Sequence, residues 1–243
     1  MVKIRHASTV ILARKNSLTD PSFQIYLMKR PKTMQTFQSY TVFPGGMLEA
    51  QDERPEWKHY FHNCINTHLL LPERSDSPVR AFSESNQGQI PELPYVVAAI
   101  REVFEETGIL LCQWNRESQA VKFQSGHDPA LRNYRKALLT KELTFLEMVK
   151  QLDLQFDAAQ LTYIGRRVTP PPKSFCFDAN VYLTIVPAGA VSAPSREAVS
   201  DEWLEPAVAL QLARQREIVC APATIECFVA LQSLEKPIET LWD

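Results

Sequence analysis

Within "AAIREVFEETGILL", residues 98 to 111, one basic and three acidic side chains fall inside six positions: Arg101, Glu102, Glu105 and Glu106. On a helix, Glu102 stands three residues before Glu105 and four before Glu106, so all three carboxylates can converge on one point beside the axis. Each like-charge pair of this kind costs about 0.2 to 0.5 kcal/mol on an exposed helix, too little to decide anything alone. Arg101, four before Glu105, can hold that side chain in place while other carboxylate oxygens take a cation. Hard oxygens of this type favour Mg²⁺, Mn²⁺ or Ca²⁺ over softer metals. The plain alternative is a solvated acidic face in which Arg101 is a surface partner of the glutamates. Two features favour the chemical reading. Gly108 stops the helix directly after the acidic face, and Pro44-Gly45-Gly46 ends a strand upstream, where the backbone must turn tightly or approach something closely.

The elements that must position these residues follow from periodicity. "HASTVILA" (6–13) and "FQIYLMK" (23–29) are rich in β-branched and aromatic residues and flank the turn-forming "RKNSLTDPS", which predicts two antiparallel strands. A short third strand, "SYTVF", runs into Pro44. The acidic helix spans about 95–107, with Val96, Ile100, Val103 and Phe104 toward the core, the four charged residues on the other side and Gly108 as a left-handed cap. Further helices are expected near 129–141 and 144–154, strands at "LTYIGRRVT" and "FDANVYLTIV", and two amphipathic helices at 206–216 and 222–234. Asp128 suits the N-cap of the first of these helices. Between about 51 and 94 the chain turns polar and proline-rich. Residues 53–94 read as an insertion holding one helix near 56–70.

Composition narrows the function. A chain of 243 residues with 45% hydrophobic and 22% charged residues describes one domain, here taken as 1–243 with its insertion. The net charge of -2 and a pI near 6.2 provide no global basic field for nucleic acid or anionic lipid. No stretch approaches the roughly 18 apolar residues of a membrane span. The N-terminal "MVKIRHASTVILARK" reads as a strand rather than a leader, and a cytoplasmic location is the default. Five cysteines, odd in number and lacking a C-x-x-C pair, suit free thiols in a reducing compartment. "HYFHNCINTH" gathers His59, His62, Cys64 and His68; an incidentally His-rich amphipathic helix accounts for it better than a zinc site does.

"REVFEETGI" resembles, at every defining position, the second half of the Nudix box, G-x5-E-x7-R-E-U-x-E-E-x-G-U, where U is apolar. "FPGGMLEAQD" is similar to its first half, with Gly46 as the box glycine and Asp52 where the family normally has Glu. Between Asp52 and Arg101 lie 48 residues instead of seven, so the box is split by the insertion. The split resembles the peroxisomal coenzyme A diphosphatase type branch, as do "YLMKRPKTMQTFQSYTVFPGG" and "RRVTPPPKSFCFDANVYL". The branch's coenzyme A signature, L-L-T-x-R-[SA]-x3-R-x3-G-x3-F-P-G-G, is met at Arg30 and Phe43 to Gly46; Pro31, Gln35 and Ser39 depart from it.

The resemblance implies an α+β Nudix fold, an α/β/α sandwich around a mixed β-sheet with helical insertions. It also implies hydrolysis of a nucleoside diphosphate linked to another moiety. Mg²⁺ or Mn²⁺ would neutralise the diphosphate and activate the attacking water. Glu102 and Glu106 are the first metal ligands, Glu105 the next, and the Gly45 carbonyl a further oxygen. Arg101 would orient Glu105. For the general base, Glu105 competes with Glu202, which sits before a C-terminal helix. Arg30, Gly45 and Gly46 are the substrate-binding candidates. Lys32, Arg166, Arg167 and Lys173 are further cations, and Tyr40 and Phe175 are candidates for stacking on adenine. The insertion serves as a lid, as decoration or as a homodimer contact.

Three functions therefore compete: a coenzyme A or acyl-coenzyme A diphosphatase, a pyrophosphatase for ADP-ribose, NADH or a similar dinucleotide, and a Nudix module that binds nucleotide without cleaving it. The complete Arg101, Glu102, Glu105 and Glu106 set argues against the last.

Overall fold

A computed structural model describes residues 3–16, 22–34, 36–63, 91–114, 128–168, 175–187, 190, 192–195 and 198–232. Its organising element is β1 (Lys3–Lys15), a strand buried on both faces. Alternation sends Val10 and Leu12 into one apolar cluster and Ile11 and Ala13 into another. β1 runs parallel to β9 (Phe175–Ile185) from Lys3↔Phe175 to Ala13↔Ile185. The sheet is extended by β2 (Phe23–Lys29), β8 (Thr162–Val168) and β10 (Ser200–Leu204) in the order β10-β2-β1-β9-β8. Two short strands complete it, β3 (Thr41–Val42) on β2 and β4 (Gly45–Met47) on β1.

Helices cover both faces. On one lie α1 (Leu93–Thr107), α2 (Pro129–Leu139) and α3 (Phe145–Leu152), with a small sheet in the order β5-β7-β6 made by β5 (Phe61–His62), β6 (Gln113–Trp114) and β7 (Leu154–Asp157). On the other lie α4 (Pro206–Arg214) and α5 (Pro222–Gln232). This is the α/β/α sandwich with a mixed sheet expected from the sequence.

One change of partner along β1 makes room for a site. Near its C-terminal end β1 pairs with β2 through Ala13 to Lys15, whereas Ala7 to Thr9 pair with β4. The backbone N–H of Val10 donates to the Pro44 carbonyl at 2.9 Å, at the fork between the two partners. Gly45 therefore enters the sheet where β2 has left it. The Ser8 hydroxyl donates to the Tyr95 carbonyl at 2.6 Å and fixes the start of α1 over the same strand.

Two expectations need correcting, and two features lie beyond them. The helix near 56–70 is absent from the described part of that range: a 3-10 turn at Pro55–His59 leads into β5. Trp57 causes this, being fully buried, donating from its indole N–H to the Gln51 carbonyl at 2.7 Å and packing on Phe145 and Phe156. Anchored there, the first residues of the insertion belong to the core instead of looping out. The helix near 144–154 ends at Leu152, because Asp153 takes a left-handed conformation (φ 50°) and turns the chain into β7, where Leu154 and Phe156 are buried. "SDEWL" is a strand, β10, held on the free edge of β2. Last, the charged side of α1 is not a surface, since Arg101, Glu105 and Glu106 are all buried.

Other expectations hold. Gly108 caps α1 at φ 75°, its N–H donating to the Phe104 carbonyl, and the Asp128 carboxylate accepts from the Ala130 N–H at 2.8 Å. Cys112, Cys176, Cys220 and Cys227 are free thiols. Among the described residues no helix is long and apolar enough to cross a membrane.

Candidate active site

Arg101 is the centre of the acidic cluster. Its Nε and Nη2 both donate to the Asp52 carboxylate at 2.9 Å, Nη1 donates to Glu102 at 2.8 Å and to Glu105 at 3.4 Å, and Nη2 also reaches the Met47 carbonyl at 3.0 Å. The Arg101 and Asp52 side chains are 1% and 0% exposed. Burial works against the guanidinium charge, but the Asp52 hydrogen bonds and the neighbouring carboxylates outweigh it and leave the Arg101 pKa raised. Asp52 also accepts the Glu49 N–H at 2.8 Å. The planar fork of Arg suits this two-pronged contact in a way an ammonium would not.

Asp52 precedes the insertion and Arg101 follows it, so this pair closes the gap between the two halves of the divided motif. The shorter Asp in place of Glu still reaches, because Trp57 and Gln51 hold its loop down. The Gln51 side chain accepts the Phe145 N–H at 2.9 Å and donates to Glu49 at 2.6 Å, and Lys141 donates to Glu49 at 2.8 Å.

On the far side of the helix face, Glu106 accepts the Gly45 N–H at 2.8 Å and lies 3.9 Å from the Arg30 guanidinium. Gly45 is required by space, and Gly46 leaves room that the Glu102 side chain fills. At Gly46 a Cβ would sit 2.4 Å from the Glu102 carboxyl, and at Gly45 (φ 152°) it would sit 2.3 Å from the Ser8 carbonyl oxygen. The carboxylate of Glu102 thus occupies the room left by a missing side chain. The three glutamates do not meet at one point: among the described residues no three acidic, His or Cys side chains are grouped so as to hold one ion. Arg101 keeps Glu102 and Glu105 on its side, while Gly45 and Arg30 keep Glu106 on theirs. The donor set itself, three carboxylates on one helix beside a glycine cradle, fits a hard divalent cation. Burial raises the Glu105 pKa, with the Arg101 and Lys141 charges opposing it.

A family model described as the NUDT19 Nudix domain matches residues 4–228. The chain belongs to this Nudix family. It is 28% identical over 226 residues to the protein named acyl-coenzyme A diphosphatase NUDT19 from Xenopus laevis, covering 86% of this chain and 59% of that one. It is 25% identical over 246 residues to the human protein of the same name, covering 90% and 66%. The chain thus spans about three-fifths to two-thirds of the length of these curated relatives. A Nudix hydrolase crystal structure from Alicyclobacillus acidocaldarius shares the fold with a TM-score of 0.68 at 23% identity, covering 97% of this chain and 94% of that one.

The Nudix motif residues Gly45, Gly46, Arg101, Glu102, Glu105 and Glu106 are thus gathered together, with Arg30 beside them. Other sequence candidates lie elsewhere. Glu202 is exposed on β10, on the same side as Leu204, which packs toward α4 and α5 and away from α1. Arg166 and Arg167 pair internally, with Asp178 and Glu226. Tyr40 packs edge-on against Phe37 at 5.6 Å. His59 and His62 are exposed on a turn and a strand and share no helical face. Gln35, Cys64, His68, Lys173 and the Phe175 side chain fall outside the described residues. Ser39 has φ 61°, in the left-handed region that favours glycine.

Sequence reasoning missed Asp201 and Arg135. Asp201 faces the α1 side, accepting the Tyr26 hydroxyl at 2.9 Å and the Ser192 hydroxyl at 2.6 Å. Burial comes first in raising the Tyr26 pKa, and the charges of Asp201 and Glu106 add to it. Nothing in the sequence marks Arg135 as special: it stands in the apolar stripe of α2, between Leu131 and Leu138, where it reads as the edge of a helix face.

Proposed function

We propose that this chain is a divalent-metal-dependent Nudix hydrolase that cleaves the diphosphate of coenzyme A or its acyl esters, giving 4′-phosphopantetheine products and adenosine 3′,5′-bisphosphate. The observation that carries the reading is the Arg101–Asp52 pair, which reunites a motif divided by 48 residues and leaves Glu102, Glu105 and Glu106 around Gly45 and Gly46. The names of the vertebrate relatives support the substrate class.

In this reading Glu102 and Glu106 would hold Mg²⁺ or Mn²⁺, with Glu105 and the Gly45 carbonyl as further ligands, once the carboxylates turn together from the positions they take without an ion. The ion supplies charge neutralisation for the diphosphate. Glu105, buried beside Arg101, would accept a proton from the attacking water. Arg101 holds Glu102 and Glu105 in position, and Arg30 offers a cation to the substrate phosphates beside Glu106. The free thiols agree with a reducing compartment such as the cytoplasm.

The test is to incubate the protein with Mg²⁺ or Mn²⁺ and coenzyme A, acyl-coenzyme A, ADP-ribose or NADH, and to identify products by mass spectrometry. Coenzyme A and its esters should yield the two expected fragments, and Glu106→Gln should abolish turnover while the circular dichroism spectrum is unchanged. Cleavage of ADP-ribose or NADH alone would move the assignment to the dinucleotide class. Turnover of none would leave a nucleotide-binding module.

A further inference from the structure

Arg135 lies on α2, outside both halves of the motif, and is 8% exposed. Its Nε donates to the Glu105 carbonyl at 3.0 Å and its Nη1 donates to the Ala193 carbonyl. Nη2 is buried and makes no hydrogen bond among the described residues. The segment 192–195 makes two more bonds to the same end of α1: the Ala193 N–H donates to the Thr107 carbonyl at 2.8 Å and the Ser195 N–H to the Glu106 carbonyl at 3.0 Å. The last carbonyls of a helix lack intrahelical partners and carry a negative partial charge, so a cation and two donors are well matched to this end. A core leucine at 135 would fill the stripe of α2 but offer none of these bonds. Burial lowers the Arg135 pKa, and the Glu106 and Glu105 charges oppose that.

We propose that Arg135 is a positioning residue for Glu105 and Glu106: it ties the final turn of α1 to the 192–195 segment and so sets where the two carboxylates stand relative to Gly45. The proposal rests on the hydrolase reading for its kinetic consequence and on geometry alone for its effect on cation binding. It differs from a simple helix cap in its demand for a fork. An ammonium at 135 restores the charge and donates from a single nitrogen, but it lacks the rigid spacing with which Nε and Nη1 meet the Glu105 and Ala193 carbonyls.

The experiment compares wild type, Arg135→Lys and Arg135→Met in coenzyme A hydrolysis, in Mn²⁺ binding by electron paramagnetic resonance without substrate, and in thermal melting. Arg135→Lys should melt near wild type, lose roughly 10- to 100-fold in kcat with KM nearly unchanged, and bind Mn²⁺ more weakly by a comparable factor. Arg135→Met should show the same losses and also melt lower; should it fail to fold, the Lys variant alone decides. Full kcat and unchanged Mn²⁺ affinity in Arg135→Lys would reduce Arg135 to a structural cap and overturn the proposal. Should wild type cleave no substrate, the functional reading fails on its own, and Mn²⁺ affinity still decides this one: equal values in wild type and Arg135→Lys overturn it.

Discussion

Two arginine–aspartate pairs in this molecule make the same two-pronged contact and do different work. Arg101 and Asp52 are sealed from water, with side chains 1% and 0% exposed, whereas Arg166 is 34% exposed beside Asp178. The sealed pair joins segments on either side of the insertion that no strand pairing connects directly. The rim pair joins β8 to β9, whose register already sets Arg166 opposite Asn180 and Val168 opposite Asp178. Asp178 also has His6 at 3.5 Å, whose ring nitrogen meets the Tyr95 hydroxyl. An ion pair thus becomes structurally decisive when it is the contact that brings two elements together and water cannot replace either partner. Where a ladder has done the joining, the same contact is an addition.

That contrast can be broken most directly at Asp52. Asp52→Ala would leave the Arg101 charge buried without its main partner and should cost about 3 to 5 kcal/mol of stability in urea unfolding, with turnover lost. A loss under about 1 kcal/mol would mean that Glu102 and Glu105 can hold Arg101 unaided, and the two pairs would then be alike.

A smaller effect sharpens the comparison at Glu105, the weaker third partner of Arg101. Its pKa is raised in the folded chain, above the unfolded value near 4.3, so the native state binds this proton more tightly. The stability it contributes is present below the unfolded value and is lost as pH rises through the folded one. With divalent ions chelated, the stability of wild type minus that of Glu105→Gln should fall across this window, by at most about 1.4 kcal/mol per pH unit. A rising difference would show Arg101 holding Glu105 as firmly ionised as a salt-bridged carboxylate, contrary to the effect of its burial.

Arg166→Ala should have the least effect, about 1 kcal/mol or less and reduced further by salt, because the β8–β9 ladder survives it. A loss comparable to that of Asp52→Ala would erase the distinction between rim and core.

Much of this was legible in the chain. The 3.6-residue period of Val96, Ile100, Val103 and Phe104 defined α1, and Gly108 its end, because both depend on neighbours a few residues away. The strands β1, β2, β8 and β9 were equally readable, since β-branched and aromatic runs bounded by turn residues are local signals. Arg135 was not, because a single Arg in an apolar stripe looks like the edge of a helix face until its carbonyl partners, 30 and 58 residues distant, are brought to it. β10 escaped for the same reason: "SDEWL" has little strand character alone and becomes one by adding to the edge of β2.

The order of residues alone picked out the groups that the fold brings near one another: three carboxylates, one arginine and two glycines, on a helix and a tight turn. It also revealed the split in the motif and the Asp at its seam. Folding decided how those groups stand. It buried a face that helical periodicity assigns to solvent, turned Arg101 toward Asp52, and set Glu106 against Gly45 and Glu102 against Gly46. Burial and ion-pair geometry depend on what covers a side chain, and here the cover comes from the 45–63 segment and α2, which meet α1 only in three dimensions.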